Sequence, residues 1–478
     1  MRAKSLERLV GVVIGIVVAL AAALIWFGIA ATEETEPEVP QERLLFGVWD
    51  IFYDTRAPSI RLFSIAAGLA LLFAAGVALL ERRASTRSRR STNARVTPLA
   101  PRIVMAETRG VFAGEVTVTV LIPAHNEEHS LPATLESLEA QSLPPTRVIV
   151  VADNCRDGTM EVAHAAGVEV FVTFSNVQKK AGALNQALSD VLPSLGENDI
   201  VMVMDADTTL DNGFLKAAVL RFTADRGLMA VGGLFYGEEG HGLLGQLQRN
   251  EYVRYGREIG RRRGRVFVLT GTASMFRPRA LREVARNRGV TIPGRNGDVY
   301  DTVALTEDNE LTIALKTLGG LVISPAQCRV VTELMPTAGA LWRQRLRWQR
   351  GALENLGSYG MTAATFRYWS QQLGIGYSVI ALNAFAVLIF LTAVSLDQWI
   401  WFPFWLGLGG IFLLERVVTV WSGGWRSRLL AVTLVPELLF DMYLNIVYVK
   451  GIIDITFGRQ ATWSHLPTPA TASLEADA

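Results

Sequence analysis

The chain has 478 residues, of which 50% are hydrophobic, a mean hydropathy of +0.27 and a net charge of +1. It is too apolar for an ordinary soluble protein and too weakly charged overall for a protein that binds nucleic acid. Its two cysteines, Cys155 and Cys328, are too few for a disulfide framework and indicate a reducing compartment.

The N-terminal part contains two apolar runs. Leu9 to Ala31 is long enough to cross a bilayer as a helix, although its basic flank makes a secretory signal peptide the competing interpretation. An acidic segment follows, and then the second apolar run, Ile60 to Leu80. Arginines cluster directly after it. By the positive-inside rule, 1–81 holds two transmembrane helices with an acidic external loop, and 82–115 is a basic cytoplasmic linker that can touch anionic lipid.

The next part, 116–350, has a soluble composition in which strand-like runs alternate with helical ones. This alternation predicts an α/β domain with a mostly parallel sheet. Acidic segments follow the first two predicted strands: PAHNEE contains Glu127, and ADNCRDGT contains Asp153. We expect them to converge on one crevice, although such residues are also ordinary turn formers. Lys180 then opens a helix of small residues, KAGALN, where a cation and free N–H groups can hold phosphate.

The run Val201 to Thr208, VMVMDADT, is the most informative stretch of this domain. It predicts a strand buried on both faces that ends in Asp205 and Asp207. Alternate residues of an extended chain face the same side, so both carboxylates can reach one site. Two carboxylates together with substrate phosphates suit Mg²⁺ or Mn²⁺. A solvated acidic turn is the alternative, because a D-x-D by itself is a short motif.

Farther along the chain, Phe267 to Phe276 is predicted as another buried strand, and TEDNELT places Glu307 and Asp308 at the start of a helix. Acidic side chains at a helix start are stabilising by themselves. The functional alternative makes Asp308 the carboxylate that takes the proton from a reacting hydroxyl.

The last motif of the domain, ALWRQRLRWQRG, is predicted to be helical, with Gln344, Arg347 and Trp348 on one face at i, i+3 and i+4. Arg347 can bind a diphosphate with two parallel hydrogen bonds, and Trp348 can stack on a sugar ring. A basic amphipathic helix that lies on the membrane is the alternative, and it is compatible with these roles.

The motifs PAHNEE, ADNCRDGT, KAGALN, DAD, TED and QRLRW occur in this order between about Val116 and Arg350. Together they resemble the signature of the family-2 membrane glycosyltransferases, which include the synthases of cellulose, hyaluronan, chitin and poly-N-acetylglucosamine. The resemblance implies a GT-A type catalytic domain on the cytoplasmic side of the membrane. It also implies a UDP-sugar donor, a glycan acceptor and a divalent cation, Mg²⁺ or Mn²⁺.

The resemblance also implies roles for the residues on the donor side of the site. Glu127 and Asp153 would contact the nucleoside, and Lys180 would lie near the nucleotide. Asp205 would contact the ribose or the metal ion, and Asp207 would ligate the metal ion.

On the other side of the site, the resemblance makes Asp308 the general base. Gln344, Arg347 and Trp348 would hold the diphosphate and the acceptor end of the glycan. His125 departs from the Tyr that is commoner at this position of the motif, which could change how the neighbouring groups are held.

The C-terminal part, 351–457, is predicted to contain interfacial and transmembrane helices, with spans at Leu373 to Val394 and Trp399 to Val420. We expect four full spans in the whole chain, one re-entrant or interfacial segment and a cytoplasmic C-terminus. The tail, 458–478, is predicted to be partly disordered.

The run Leu429 to Ile455 is the ambiguous one of these segments. Pro436 interrupts it, and Glu437, Asp441 and Asn445 form a stripe at i, i+4 and i+8. Ionisable groups at membrane depth normally face a bundle interior or a watery path. The stripe could therefore line an exit route for a polymer, or the segment could lie in the interface.

The sequence therefore predicts a multi-pass protein of the inner, or plasma, membrane whose cytoplasmic domain extends a polysaccharide from a UDP-sugar and couples the extension to export. The bilayer, the donor and the glycan are its expected partners; nucleic acid is not, and any export subunits are unknown. Two alternatives stay open. The protein could add one sugar to a lipid or other acceptor, or it could be a non-catalytic membrane subunit that binds nucleotide sugar.

Overall fold

The computed structural model describes residues 2–31, 59–110, 115–262, 264–395 and 403–459. In chain order the helices are α1 (Arg2–Ala30), α2 (Ile60–Arg90), α3 (Pro101–Glu107), α4 (Leu131–Glu139), α5 (Thr159–Ala165), α6 (Lys179–Val191), α7 (Phe214–Ala224), α8 (Gly242–Arg261), α9 (Pro278–Asn287), α10 (Glu307–Thr317), α11 (Ala338–Tyr359), α12 (Phe366–Ser395), α13 (Pro403–Thr419), α14 (Gly424–Thr433) and α15 (Val435–Thr456). The strands are β1 (Thr117–Ala124), β2 (Arg147–Ala152), β3 (Glu169–Val172), β4 (Asp199–Met204), β5 (Thr208–Leu210), β6 (Leu228–Gly232), β7 (Leu234–Gly237), β8 (Ala273–Phe276), β9 (Leu321–Ile323) and β10 (Arg329–Thr332).

These elements form two compact units. The helical unit comprises Met1–Arg87 and Phe366–Glu415, and the α/β unit comprises Ser88–Thr365 and Arg416–Ala478. The α/β unit therefore contains the whole predicted catalytic domain together with α14 and α15.

In the helical unit, α1 and α2 approach each other closely at Gly68. A Cβ at this position would lie 2.5 Å from Ile25 Cγ1 and 2.8 Å from the backbone oxygen of Ala21. A residue without a side chain is what allows two helices to come this close.

Within the described part of the chain, Ile60–Leu80 is the one unbroken helical stretch long and apolar enough to cross a bilayer, and Gly15–Ala30 is a shorter apolar stretch. The predicted span Leu373 to Val394 is helical as part of α12. The predicted span Trp399 to Val420 falls partly on residues 396–402, which lie outside the described residues. The multi-pass arrangement stays a prediction.

The sheet that positions the site belongs to the α/β unit. It has seven strands in the order β3-β2-β1-β4-β8-β6-β9, and only β8 runs antiparallel to its neighbours. The predicted α/β class with a mostly parallel sheet is confirmed. A second sheet has three strands in the order β5-β10-β7.

The central strand β4 is buried on both faces, as its apolar sequence predicts. Val201 and Val203 pack on one side of the sheet with residues of α6 and α10. Ile200, Met202 and Met204 pack on the other side with residues of α4 and α7. Helices therefore cover both faces, and polar groups are left for the ends of the strands.

The prediction of a strand over Phe267 to Phe276 is wrong for residues 267–272, because β8 forms only at Ala273–Phe276. The preceding residues form a loop whose polar groups bind elsewhere. Thr270 Oγ1 donates to the backbone oxygen of Gly233 at 3.2 Å, and Gly271 N–H donates to Asp308 Oδ2 at 3.1 Å. A backbone amide used by a side chain in this way is not available to a strand ladder.

The ambiguous C-terminal run is broken into α14 and α15, which meet at an angle of 84°. The break lies at Leu434, whose φ is 56°, and not at Pro436. Pro436 lies in the first turn of α15, where a proline costs no helical hydrogen bond. This geometry fits either a broken span or a re-entrant segment.

The carboxylates of the predicted polar stripe on α15 are paired with arginines. Glu437 is 1% exposed, accepts from Asn250 Nδ2 at 2.8 Å and forms an ion pair with Arg254 of α8. Asp441 forms an ion pair with Arg416. These two groups therefore attach α15 to neighbouring elements of the α/β unit.

Candidate active site

The site lies where β1, β2 and β4 end side by side. Ala124, the last residue of β1, is opposite Ala152 at the end of β2, and Leu121 is opposite Val203 near the end of β4. Because the strands are parallel, the segments that follow them leave the sheet at the same edge. Ligands of open α/β sheets bind at this edge.

The acidic loops after β1 and β2 hold each other in place. Glu128 Oε2 accepts from the N–H of Gly158 at 2.7 Å, and the N–H of Glu127 donates to Thr159 Oγ1 at 2.8 Å. Turn chemistry thus accounts for Glu128. The Glu127 carboxyl is directed to the site, where desolvation and the charges of nearby carboxylates raise its pKa against a hydrogen bond from Ser130.

Asp153 forms the centre of a hydrogen-bond network at the end of β2 and is 7% exposed. Its Oδ1 accepts from Asn176 Nδ2 at 2.9 Å, Thr173 Oγ1 at 2.8 Å and Asn154 Nδ2 at 3.1 Å. The unusual His125 bonds the Asp153 backbone oxygen through Nδ1 at 2.6 Å. His125 therefore links the ends of β1 and β2, which is how it affects the neighbouring groups.

The start of α6 packs tightly on the loop that precedes it. A Cβ on Gly182 would lie 2.2 Å from Asn176 Oδ1 and 2.6 Å from the Gln178 Cβ. Asn176 also bonds the backbone oxygen of Lys179 at 2.8 Å. The glycine of KAGALN therefore has a steric role, since a larger residue would displace the loop that contacts Asp153.

Lys180, in the first turn of α6, bridges two acidic segments that are far apart in sequence. Its Nζ lies 2.5 Å from Asp205 Oδ1 and 3.4 Å from Glu307 Oε1. Desolvation alone would lower the pKa of Lys180, but the two carboxylates outweigh it and raise the pKa. The ammonium group thus connects the end of β4 to the start of α10.

The D-x-D segment is a turn between β4 and β5, so the expected extended geometry is wrong. The N–H of Thr208 donates to the backbone oxygen of Asp205 at 3.4 Å, which closes the turn. The two carboxylates still share one environment. Asp207 reaches solvent but is densely surrounded by protein, and this desolvation, followed by the charges of Asp205 and Glu127, raises its pKa to about 7.

Glu333 adds a further negative charge that sequence reasoning missed. Thr332 of β10 pairs with Thr208 of β5, which brings Glu333 next to Asp207. Nothing in the local sequence of Glu333 points to a site. Only the pairing of β10 with β5, across more than a hundred residues, places it there.

Several negative charges lie around Asp207, and the positive charge of Lys180 offsets only part of them. The remaining negative charge fits a divalent cation bound by Asp205 and Asp207. Among the described residues, no three His, Cys, Asp or Glu side chains form a ready-made metal cluster. A cation here would need oxygens from substrate phosphates, which is how Mg²⁺ is usually bound at phosphate-transfer sites.

Asp308 lies in the first turn of α10, at a small pocket that it shares with Lys180, Gly271 and Tyr300. It accepts hydrogen bonds from the N–H groups of Asn309 at 2.7 Å and Gly271 at 3.1 Å. Desolvation, and then the charge of Glu307, raises the pKa of Asp308 to about 6. A carboxylate with this pKa is suited to accept a proton near neutral pH.

The three predicted residues of α11 face different surroundings. Arg347 acts on Lys179 at the start of α6, where desolvation and the arginine charge lower the lysine pKa. The Trp348 ring covers the guanidinium of Arg345 at 4.5 Å. Gln344 Oε1 is enclosed without a hydrogen-bond partner among the described residues. Arg347 is thus the one that the structure places near the lysines of α6.

The helix α11 is attached to the segment that holds Asp308. Asn355 Nδ2 donates to the backbone oxygen of Thr306 at 3.2 Å and to Asn309 Oδ1 at 3.1 Å. A Cβ on Gly351 would lie 2.5 Å from Thr306 Oγ1, so the two helices are in close contact. The motifs TED and QRLRW therefore belong to one packed assembly.

The structure brings together most of the predicted site, namely Glu127, Lys180, Asp205, Asp207 and Asp308. Asp153 lies at the neighbouring strand end. Gln344 and Trp348 make no hydrogen bond or ion pair with this group among the described contacts. The individual roles of these residues stay predictions.

Comparison with known proteins decides the family. Residues 115–351 match the family described as "Glycosyltransferase like family 2". The chain belongs to glycosyltransferase family 2. This membership agrees with the resemblance carried by the six motifs, all of which lie within the matched residues.

The relatives of this family-2 chain include poly-beta-1,6-N-acetyl-D-glucosamine synthases of staphylococci. The chain is 28% identical to that of Staphylococcus aureus strain COL over 246 residues, which is 50% of this chain and 55% of the relative. It is 26% identical to that of Staphylococcus epidermidis over the same length. The chain thus spans about half the length of the relatives that it matches.

Among solved structures, a mannosyltransferase from Pyrobaculum calidifontis, in complex with GDP-Man and Mn²⁺, is similar to this chain. Its sequence is 16% identical, the TM-score is 0.48, and the likeness covers 80% of this chain and 100% of the other.

Proposed function

We propose that this chain is a membrane-embedded, inverting glycosyltransferase of the GT-A type that transfers a sugar from a UDP-sugar to a growing polysaccharide. The observation that supports it most directly is the pocket in which Lys180, bonded to Asp205 of the D-x-D segment, lies beside Asp308. A group suited to a diphosphate and a carboxylate suited to a hydroxyl proton thus face the same space.

In this proposal Asp308 is the general base. It takes the proton of the acceptor hydroxyl as the hydroxyl oxygen attacks the anomeric carbon, and UDP leaves from the opposite side of the sugar. A single displacement of this kind inverts the anomeric configuration. The Gly271 and Asn309 N–H groups fix the carboxylate in position, so little reorganisation is needed when the reaction occurs.

Cationic groups stabilise the leaving diphosphate. Lys180 lies in the first turn of α6, and Arg347 lies near Lys179 in the same turn. Both Lys180 and Arg347 can neutralise the charge that develops on the UDP oxygens. Asp205 and Asp207 would hold Mg²⁺ or Mn²⁺, whose positive charge adds to this stabilisation. Glu127 and Asp153 would contact the nucleoside. Asp153 Oδ2 accepts no hydrogen bond from the described residues and is available for it.

The relatives support N-acetylglucosamine as the first donor sugar to test and a polymer as the product. Gln344 and Trp348 would contact the acceptor end of the glycan. The apolar helices of the helical unit would anchor the protein in the inner, or plasma, membrane, with the α/β unit in the cytoplasm and the product exported.

The proposal is tested by purifying the full chain in lipid nanodiscs and supplying a panel of UDP-sugars with a glycan acceptor. Release of UDP, its loss on adding a chelator, and a product of increasing length are the expected results. A product extended by only one sugar would show that the chain catalyses single transfer and not polymerisation. Binding of UDP and metal without UDP release from any donor would overturn the catalytic proposal in favour of a non-catalytic subunit.

The pKa of Asp308 predicts how transfer depends on pH. Because the base must be ionised, kcat/KM measured with saturating Mn²⁺, which keeps the proposed metal ligand Asp207 ionised, should fall about tenfold per pH unit below the Asp308 pKa of about 6 and level off above it. Glu307→Gln removes the neighbouring negative charge that raises this pKa, so the acidic limb should move to lower pH. A limb that stays in place in Glu307→Gln would show that another group is titrating.

A further inference from the structure

Tyr300 is a large polar residue of the pocket that the proposed reaction does not use. It is 4% exposed and lines the pocket together with Lys180, Glu307 and Asp308. Among the residues that the structure describes, the Tyr300 hydroxyl has no hydrogen-bond partner. Its oxygen is not fully enclosed and can be reached from the pocket. A buried tyrosine usually finds a partner for its hydroxyl, so this group is left for a ligand.

The backbone of Tyr300 is held by side chains from two other elements. Asn185 of α6 donates from Nδ2 to the Tyr300 oxygen at 2.9 Å and accepts at Oδ1 from the N–H groups of Tyr300 at 2.8 Å and Val299 at 3.0 Å. Arg288 Nη2 donates to the Val299 oxygen at 2.6 Å. Asn185 is the last residue of KAGALN, so the motif that supplies Lys180 also fixes Tyr300.

The phenol lies among the charged groups of the centre. Burial, together with Glu307 and Asp308, raises the pKa of Tyr300 against the opposing effect of Lys180. The hydroxyl therefore keeps its proton at neutral pH and can both donate and accept a hydrogen bond.

The pocket has a free volume of about 10 Å³, which is room for about one water molecule and therefore for one polar substituent of a sugar. Apolar residues line part of it, among them Val203, Leu269 and Leu311. The wall formed by Lys180 continues directly to Asp205, 2.5 Å away, where the diphosphate would be held. The pocket is therefore adjacent to the proposed diphosphate site.

We propose that the Tyr300 hydroxyl hydrogen-bonds a polar substituent of the donor sugar, which makes Tyr300 a specificity-determining residue of the transfer. This inference rests on the proposed function. Asn185 is then a positioning residue, because it acts on the sugar only through the backbone of Tyr300.

The test is the affinity of Tyr300→Phe for UDP and for UDP-GlcNAc, or for whichever donor the panel identifies, measured calorimetrically with Mn²⁺ and without acceptor. The loss of one hydrogen bond should weaken donor binding about tenfold and leave UDP binding within about twofold. Asn185→Ala should give the same selective loss. Tyr236→Phe removes a hydroxyl outside the pocket and should change neither affinity.

The outcomes separate this inference from the function on which it rests. If the wild-type chain binds a donor and Tyr300→Phe weakens neither ligand, or weakens both equally, the contact to the sugar is refuted while the function stands. If the wild-type chain binds no UDP-sugar of the panel, the proposed function fails, and the inference fails with it.

Discussion

Asp308→Asn is expected to reduce sugar transfer by roughly a hundred- to ten-thousand-fold, the range that positioned general bases contribute. The substitution keeps the size of the side chain but removes the group that accepts the hydroxyl proton. Among the described contacts Asp308 forms no ion pair with Lys180, the group proposed to hold the diphosphate, so the affinity for UDP should stay within about twofold of the wild type. UDP release and UDP binding, measured on the same preparation, check both parts.

Asp301→Asn is the matched control for this substitution. Asp301 lies seven positions before Asp308, does not line the pocket, and accepts from the N–H of Val303 at 3.0 Å. Transfer by Asp301→Asn should equal that of the wild type. Substantial turnover by Asp308→Asn would remove Asp308 from the role of base. Loss of UDP affinity in that variant would instead assign it to nucleotide binding.

The sequence predicts the sheet well because burial dictates composition. A strand covered on both faces must be apolar at every covered position, and residues 200–204 of β4 show this pattern without interruption before Asp205 and Asp207. The position of Asp205 follows from this pattern, since the carboxyl ends of parallel strands define the crevice.

The contacts that complete the site could not be predicted, because they join segments that are distant in sequence. Glu333 lies beside Asp207 only because β10 pairs with β5. The ion pair of Lys180 with Glu307 depends on the packing of α6 and α10. The convergence of Asp205 and Asp207 was predicted for the wrong reason, since a turn and not an extended strand brings them together. Local patterns carry no signal for such pairings.

Arg288→Met is expected to destabilise the α/β unit by about 3–5 kcal/mol, the cost of leaving one partner of a buried ion pair uncompensated. Arg288 is 0% exposed, and its Nη1 and Nη2 lie 2.5 and 2.6 Å from the two carboxylate oxygens of Glu310, which is 1% exposed. The same guanidinium donates to the backbone oxygens of Pro293 and Val299. Thermal melting should show a decrease on the order of 10 °C.

Arg286→Met is the matched control, because it removes the same kind of side chain two positions earlier, in the last turn of α9. The Arg286 side chain is 70% exposed and pairs with Glu283 at 2.9 Å, and exposed pairs of this kind contribute about 0–1 kcal/mol. Its melting temperature should stay close to that of the wild type. An equal decrease in melting temperature in both variants would show that the burial of the Arg288–Glu310 ion pair does not increase the cost of breaking it.

Removing both charges separates the ion pair from the packing around it. Arg288→Met combined with Glu310→Leu leaves no buried charge, so the combined variant should be more stable than Arg288→Met alone. Tyr359→Phe is added because the Tyr359 hydroxyl donates to Glu310 and would otherwise lose its acceptor. If the combined variant melts lower than Arg288→Met, the uncompensated charge of Glu310 is not what destabilises Arg288→Met.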